Sequence, residues 1–361
     1  MSQTLRDAFH RQARACDSLG SPFMARLCTL LATRLEPDSP LTRRLFDWPG
    51  DVTATGDAVP LRLTGALHAL RLQGHPALAA AYPPAQVTDA ALWQAVQSVL
   101  ATEGAFIDRF IDSAPQTNEV RRAAVLIAAG HWLSDRFGLP LDLSELGASA
   151  GLNLNWDRYA LALPGCTLGP ADPVLTLTPD WSGPLPPPRA PVIASRAGVD
   201  LNPIDLDDPA QRLRLLAYLW PDQPDRLERS TAAIAAQPPR PEAGDAIDWL
   251  EAWLQPRPGR LHLICHTIAW QYFPAATRAR GAALIAAAGA AARPDAPLAW
   301  LAFEADGNAP GAALSLRLWP GNAGFQLGRA DFHGRWVQWN PTPAAGQAGA
   351  DGPLTACRAT E

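Results

Sequence analysis

"SELGASAGLNLNWDRY", residues 144–159, sets an acid, Glu145, ahead of a run of small residues from Gly147 to Gly151, and places both before an apparent helix start. Such a turn can cradle a cofactor, present a nucleophile or simply pack tightly. A dinucleotide fingerprint G-x-G-x-x-G needs glycine at 147, 149 and 152, and Ser149 and Leu152 break it. A nucleophile elbow G-x-S-x-G fits Gly147, Ser149 and Gly151, and Ser149, Asp306 and His333 follow in hydrolase order. That fold places strands ahead of its elbow, whereas the chain upstream reads as helix.

The flanking sequence supplies the context. Apolar residues recur at helical spacing over 2–36, 61–81 and 89–112, with Pro and Gly clusters between them. From about Leu139, short apolar runs alternate with helical patterns: "LPLDLSELG", "VIASRAGVDLNP", "LHLICHTIAW", "LAWLAFEADG", "ALSLRLWPG" and "RWVQW". Strands separated by helices predict an α/β fold with a doubly wound, mainly parallel, Rossmann-like sheet, preceded by a helical amino-terminal unit. The expected boundaries are a helical region at 1–135, a sheet domain at 136–340 with a Pro- and Gly-rich insertion at about 163–190, and a disordered tail at 341–361.

Composition excludes several function classes. The chain has 361 residues, a net charge of −5 and no lysine: all 30 of its basic residues are arginine. Schiff-base chemistry and the phosphate-binding P-loop are therefore excluded, and an acidic chain makes a poor nucleic-acid partner. Five scattered cysteines without a C-x-x-C pair suit a reducing cytoplasm. The polar start "MSQTLRDAFHRQARACDSLG" does not read as a signal peptide, and no apolar run approaches the roughly 18 residues that cross a membrane.

In an open parallel sheet, ligands bind beyond the carboxyl ends of the strands. "ELGASAG" (Glu145 to Gly151) is similar there to the first motif of class I S-adenosylmethionine-dependent methyltransferases, and "AGVDLNP" (Ala197 to Pro203) looks like their second. "LHLICHTIAWQYFPAATRARGAALIAAAG" resembles their fourth strand and following helix. The resemblance implies S-adenosylmethionine as cofactor. Glu145, Gly147, Ser149, Gly151, Asn153, Asp200, Asn202 and Asn118 would bind it, with Glu145 offsetting the positive methionine end and Asp200 holding the ribose hydroxyls. His266 and Glu304, at later strand ends, are the catalytic candidates, and Trp270, Tyr272 and Asp306 the substrate-lining ones. No metal is expected: His262, Cys265 and His266 fall on a strand, where i and i+4 stand about 13 Å apart.

The pieces "PQTNEVRR" (Pro115 to Arg122), "ELGASAGLNLNWDRY", "RAGVDLNPID", "LWPG" and "HGRWVQW" also resemble a bacterial family of uncharacterised proteins, domain of unknown function 2332. That likeness brings no reaction with it. The expectation is a cytoplasmic methyltransferase-like protein acting on a small molecule or a protein side chain, with no nucleic-acid or membrane partner. A non-catalytic cofactor-binding regulator and a serine hydrolase stand as alternatives.

Overall fold

The computed structural model describes residues 2–344. Helices α1 (Ser2–Ser18), α2 (Pro22–Arg34), α3 (Pro40–Phe46), α4 (Val59–Leu72), α5 (Pro76–Ala81), α6 (Asp89–Thr102), α7 (Gly104–Phe110) and α8 (Ala123–Phe137) come first. Strand β1 (Leu141–Leu146) is followed by the short strands β2 (Ala160–Leu163), β3 (Cys166–Leu168), β4 (Thr176–Leu177) and β5 (Asp180–Ser182). After β6 (Ile193–Asp200) come α9 (Pro209–Ala217), α10 (Pro224–Ala235), β7 (Glu242–Ala243), α11 (Ala246–Trp253), β8 (Leu261–Thr267) and α12 (Ala275–Ala290). Strands β9 (Leu298–Glu304), β10 (Ala312–Trp319), β11 (Ala323–Ala330) and β12 (Trp336–Pro343) complete the order.

The chain forms two compact units, one from residues up to Thr117 together with Asp205–Arg229, the other from Asn118–Ile204 together with the chain from Ser230 onward. Sequence reading placed the boundary at 135/136. In the structure it falls earlier, because α8 is apolar on every side, with residues 123–134 buried, and belongs with the sheet. The first unit is helical, its core running through Phe9, Leu27, Leu31, Leu63, Leu67 and Val96. The continuous helical pattern over 2–36 is broken at Gly20, and Ser21 caps α2 by accepting from the Met24 N–H. Among the described residues no helix is long and apolar enough to cross a membrane.

The second unit is mixed α/β, built on a mostly parallel sheet in the order β5-β12-β11-β10-β9-β8-β1-β6-β7. Strands β7, β6, β1, β8 and β9 run parallel, and β10, β11 and β12 add an antiparallel meander. One face packs on α11 and α12 through Leu146, Val199, Ile264, Leu250 and Ile285. On the other, Trp132 of α8 meets the Phe325 ring edge-on at 5.2 Å. The order in which strands are added switches side at β1, which leads to β6 on one side while β8 lies on the other, so the crevice above that junction is where an open sheet receives ligands. The Pro-rich stretch after β1 carries the small sheet β3-β2-β4 and then sends β5 to the far edge beside β12. Strand β11 has no counterpart among the sequence-predicted strands. The expected tail lies, from residue 345, outside the described residues.

Candidate functional site

Every residue of β1 is buried, although "LDLSEL" alternates polar and apolar. Alternation sends Asp142, Ser144 and Leu146 to one face and Leu141, Leu143 and Glu145 to the other. On the first face the polar groups find neighbours across the sheet: the Ser195 hydroxyl donates to Asp142 at 2.6 Å, and Ser144 Oγ lies 2.9 Å from His262 Nε2. Burial pushes His262 down to about 4. Of the β1 residues, Glu145 alone puts an ionisable group on the opposite face. It stands beside Gly198 of β6 and Cys265 of β8, and Asp200, two residues beyond Gly198, shares its face.

The turn after β1 is tied to β6. Backbone N–H groups of Gly147 and Ala148 both donate to Val199 O, at 2.9 and 3.0 Å. The Asp200 carboxylate accepts from the N–H of Ser149 and of Asn202, each at 2.9 Å. From the segment ahead of α8, Asn118 Oδ1 accepts from the N–H of Leu152 at 2.9 Å, and Asn153 Nδ2 donates to Glu119 O at 3.4 Å. The sequence-predicted cofactor residues Glu145, Gly147, Ser149, Gly151, Asn153, Asp200, Asn202 and Asn118 thus gather at the carboxyl ends of β1 and β6. Packing alone already requires glycine at two of these positions: a Cβ on Gly147 would sit 2.5 Å from that of Ala269, and one on Gly151 would strike Pro239 O. Their positive φ values, 72° and 75°, fit the same need for a tight turn.

Glu145 is 2% exposed. Burial pushes its carboxyl up to about 8, the neighbouring Asp200 carboxylate adds to this, and the Arg122 guanidinium opposes it. Arg122 is fixed by donating to Phe332 O at 3.0 Å and to Thr267 O, at the end of β8, at 3.1 Å. Sequence reading passed over Arg122, whose only signal was its place in "PQTNEVRR". Several buried polar atoms in this stretch lack a hydrogen-bond partner: Glu145 Oε2, Ser149 Oγ and Asn153 Oδ1, and beyond them Asn155 Nδ2 and Trp156 Nε1. Buried polar groups are ordinarily paired, and the first three can all accept a hydrogen bond. A ligand rich in N–H and O–H donors therefore fits this turn, which suits an ammonium and ribose hydroxyls.

A second cluster forms where β8 and β9 end. Glu304 accepts from the N–H groups of Ala269, Trp270 and Gln271 and from His266 Nδ1 at 2.8 Å. Burial alone would raise its carboxyl, but the His266 hydrogen bond and the backbone donors of Ala269 and Trp270 outweigh burial and hold it below its usual range. The Trp300 indole N–H donates to His266 Nε2 at 2.9 Å, and Trp270 stacks on the same ring at 4.9 Å. His266 is thereby held as the neutral Nδ1–H tautomer with both nitrogens engaged. Its strand neighbour Cys265 pairs with Glu145, so His266 faces the opposite side of the sheet, towards α11 and α12. His266 and Glu304, the two catalytic candidates, brace the 268–272 loop.

Of the expected substrate-lining residues, Trp270 packs in this cluster and Tyr272, 70% exposed, lies further along the same loop. Asp306 is engaged elsewhere, bound by both Arg329 terminal nitrogens and by Asn308. Ser149 has the left-handed backbone, φ 55°, that an elbow serine needs. No histidine bonds its Oγ, however, and the pairing of Asp306 with Arg329 leaves the Ser149–His333–Asp306 order without its hydrogen-bond relay.

The segments "QTNEVRR", "ELGASAGLNLNW", "RAGVDLNP" and "HGRW" meet at this end of the sheet, through Asn118 with Leu152, Asp200 with Ser149 and Gly334 packed against Arg121. "LWPG" lies apart, where Trp319 packs against Gly289 of α12. No curated protein and no solved structure matches the chain. A family model described as an uncharacterized protein conserved in bacteria (DUF2332) matches residues 6–339, and the chain belongs to that family.

Proposed function

We propose that this chain binds S-adenosylmethionine at the carboxyl ends of β1 and β6 and is a methyltransferase-like protein of the cytoplasm, acting on a small molecule or a protein side chain. The observation that carries the reading is the pair of acids on one face of neighbouring strands: Glu145, buried with Oε2 unbonded, and Asp200, whose carboxylate also organises the glycine turn. The strand order supports it. Numbered by appearance in the chain, the parallel strands β7, β6, β1, β8 and β9 stand third, second, first, fourth and fifth, the doubly wound order in which nucleoside ligands lie over the first strand.

When bound, the cofactor supplies a methyl group on a sulfonium. The chain's residues bind and orient: Asp200 would hold the ribose hydroxyls, Glu145 would meet the positive end, and the Glu304–His266 brace fixes the loop that covers Gly147. Transfer of this kind needs in-line placement more than a covalent residue. One observation favours a second reading, a cofactor-binding regulator without turnover: both His266 nitrogens are engaged, so the expected base has no free lone pair.

Thermal unfolding with S-adenosylmethionine, S-adenosylhomocysteine, NAD or no ligand tests the proposal. A hundredfold excess over Kd should stabilise the protein by about 2.7 kcal/mol. The first two ligands should raise Tm in wild type and not in Asp200→Asn. Stabilisation by NAD alone, or fluorophosphonate labelling of Ser149, would overturn it, and binding without transfer to any acceptor would favour the regulator.

A further inference from the structure

We propose that the amino end of the parallel strands holds a second binding site, which takes a compact aliphatic carboxylate: the Arg260 guanidinium receives the carboxylate, and an apolar wall receives the short chain behind it. Asp142 of β1, His262 of β8 and Leu298 of β9 lie side by side in register where their strands begin. The pocket they line is thus at the opposite end of the strands from Glu145 and Asp200 and does not depend on the cofactor reading.

The pocket joins the two kinds of lining that a small-molecule site needs, an apolar wall and a few convergent polar groups. Leu254, Ala292 and Leu298 stand on the apolar side, and Asp142, His262, Arg257 and Arg260 on the polar side. The polar side continues inward. Ser195 of β6 donates to Asp142, and Ser144 of β1 meets His262 of β8, so hydrogen-bonded side chains span three strands of a parallel sheet that is normally apolar there. At the mouth the charges do not all find partners. Asp142 stands 3.6 Å from Arg257, beyond hydrogen-bond distance but near enough to balance its charge. Burial keeps His262 neutral at ordinary pH. Arg260 is left over. Its backbone N–H donates to Arg257 O at 3.1 Å, which holds both arginines in one turn. Its side chain is half-buried, and among the described residues no acid or carbonyl bonds the guanidinium. The uncompensated charge of the pocket therefore sits on a group partly withdrawn from water. A carboxylate fits its planar, two-point donor geometry, and the alkyl lining favours an anion that carries a chain over a bare one.

Ligand-observed NMR on the full chain tests the site with acetate, butyrate and butylamine, and with inorganic phosphate as a competitor of butyrate. Butyrate should bind roughly tenfold more tightly than acetate, the gain from burying two further methylenes, and butylamine should not bind. Arg260→Gln should weaken butyrate by about tenfold or more, the scale of a charge-assisted hydrogen bond, and Arg260→Lys should recover part of the loss. Ala292→Leu, which keeps every charge and fills the apolar side, should weaken butyrate more than acetate, and serves if the glutamine variant fails to fold. Equal binding of acetate and butyrate, or butyrate binding that neither the Arg260 variants nor Ala292→Leu weaken, would overturn the proposal. So would displacement of butyrate by an equal concentration of phosphate, which would reduce the site to an unselective anion patch, or the absence of binding at millimolar butyrate.

Discussion

At the scale of single residues, Glu145 is the group whose chemistry departs furthest from that of a solvated side chain. Its carboxyl titrates near 8 in the folded chain, because burial and Asp200 outweigh Arg122, and in the ordinary carboxylate range when unfolded. Between those limits the folded state holds a proton that the unfolded state has lost. Stability therefore falls as pH rises through the window, by up to about 1.4 kcal/mol per pH unit, and the loss is complete above the folded pKa. Glu145→Gln keeps the shape and removes the charge. Denaturant titrations from pH 5 to 9 should show wild type losing stability on the alkaline side while the variant loses less and becomes the more stable of the two, by a few kcal/mol at most. Parallel curves would show that Glu145 is ionised across the range. The neighbouring groups, Asp200, Arg122, Tyr159 and Cys265, remain in both proteins, so the difference isolates one carboxyl.

At the scale of elements, the turn from β1 carries a testable division of labour. Gly147 combines φ 72° with a close approach to Ala269. Gly147→Ala should cost about 2–4 kcal/mol, the sum of left-handed strain and overpacking, and Ala269→Gly in the same chain should return the overpacking part. Ser149, at φ 55° with an unbonded buried hydroxyl, behaves oppositely: Ser149→Gly should gain up to about 1 kcal/mol in chemical denaturation. A loss there would mean that the hydroxyl has a partner in solution. The contrast also shows what was legible in the sequence. Strand, turn and second acid could be read from "LDLSELGASAG" and "AGVDLNP", because alternation and small residues are local signals. That the glycines serve packing could not, since Ala269 and Pro239 are more than 80 residues away. Nor could the engagement of His266, which depends on Trp300 lying beside it on β9, or the burial of Asp142 and Ser144, which depends on Ser195 and His262. Long-range pairing decides whether a polar residue is a reagent or a strut.

At the scale of the molecule, chain order and spatial order diverge, which sets the limit of any linear reading. The helical unit was legible from periodicity up to about residue 112, but its completion by Asp205–Arg229 was not, because that segment follows β6 in sequence and looked like part of the sheet domain. Its contribution is large. Ala217, Tyr218 and Trp220 join the helical core, the Tyr218 ring lies against Gly65, and His68 Nδ1–H donates to Ala217 O at 3.0 Å. Asp222 accepts from the Ser21 hydroxyl and the Phe23 N–H at the start of α2, and Arg214 lies 4.1 Å over the Phe110 ring. Two large aromatics burying some 150–250 Å² each at about 25 cal/mol per Å² represent on the order of 10 kcal/mol of gross hydrophobic stabilisation, comparable to the whole net stability of a domain. A fragment of residues 1–117 should therefore show helical circular dichroism with a broad, weakly cooperative melt. Supplying 205–229 as a separate chain should sharpen the transition and raise its midpoint. Trp220→Ala or Asp222→Ala in that added segment should blunt the effect, the first through lost packing and the second through two uncapped donors. If 1–117 alone melts as sharply as the complemented pair, the segment decorates the helical core instead of completing it.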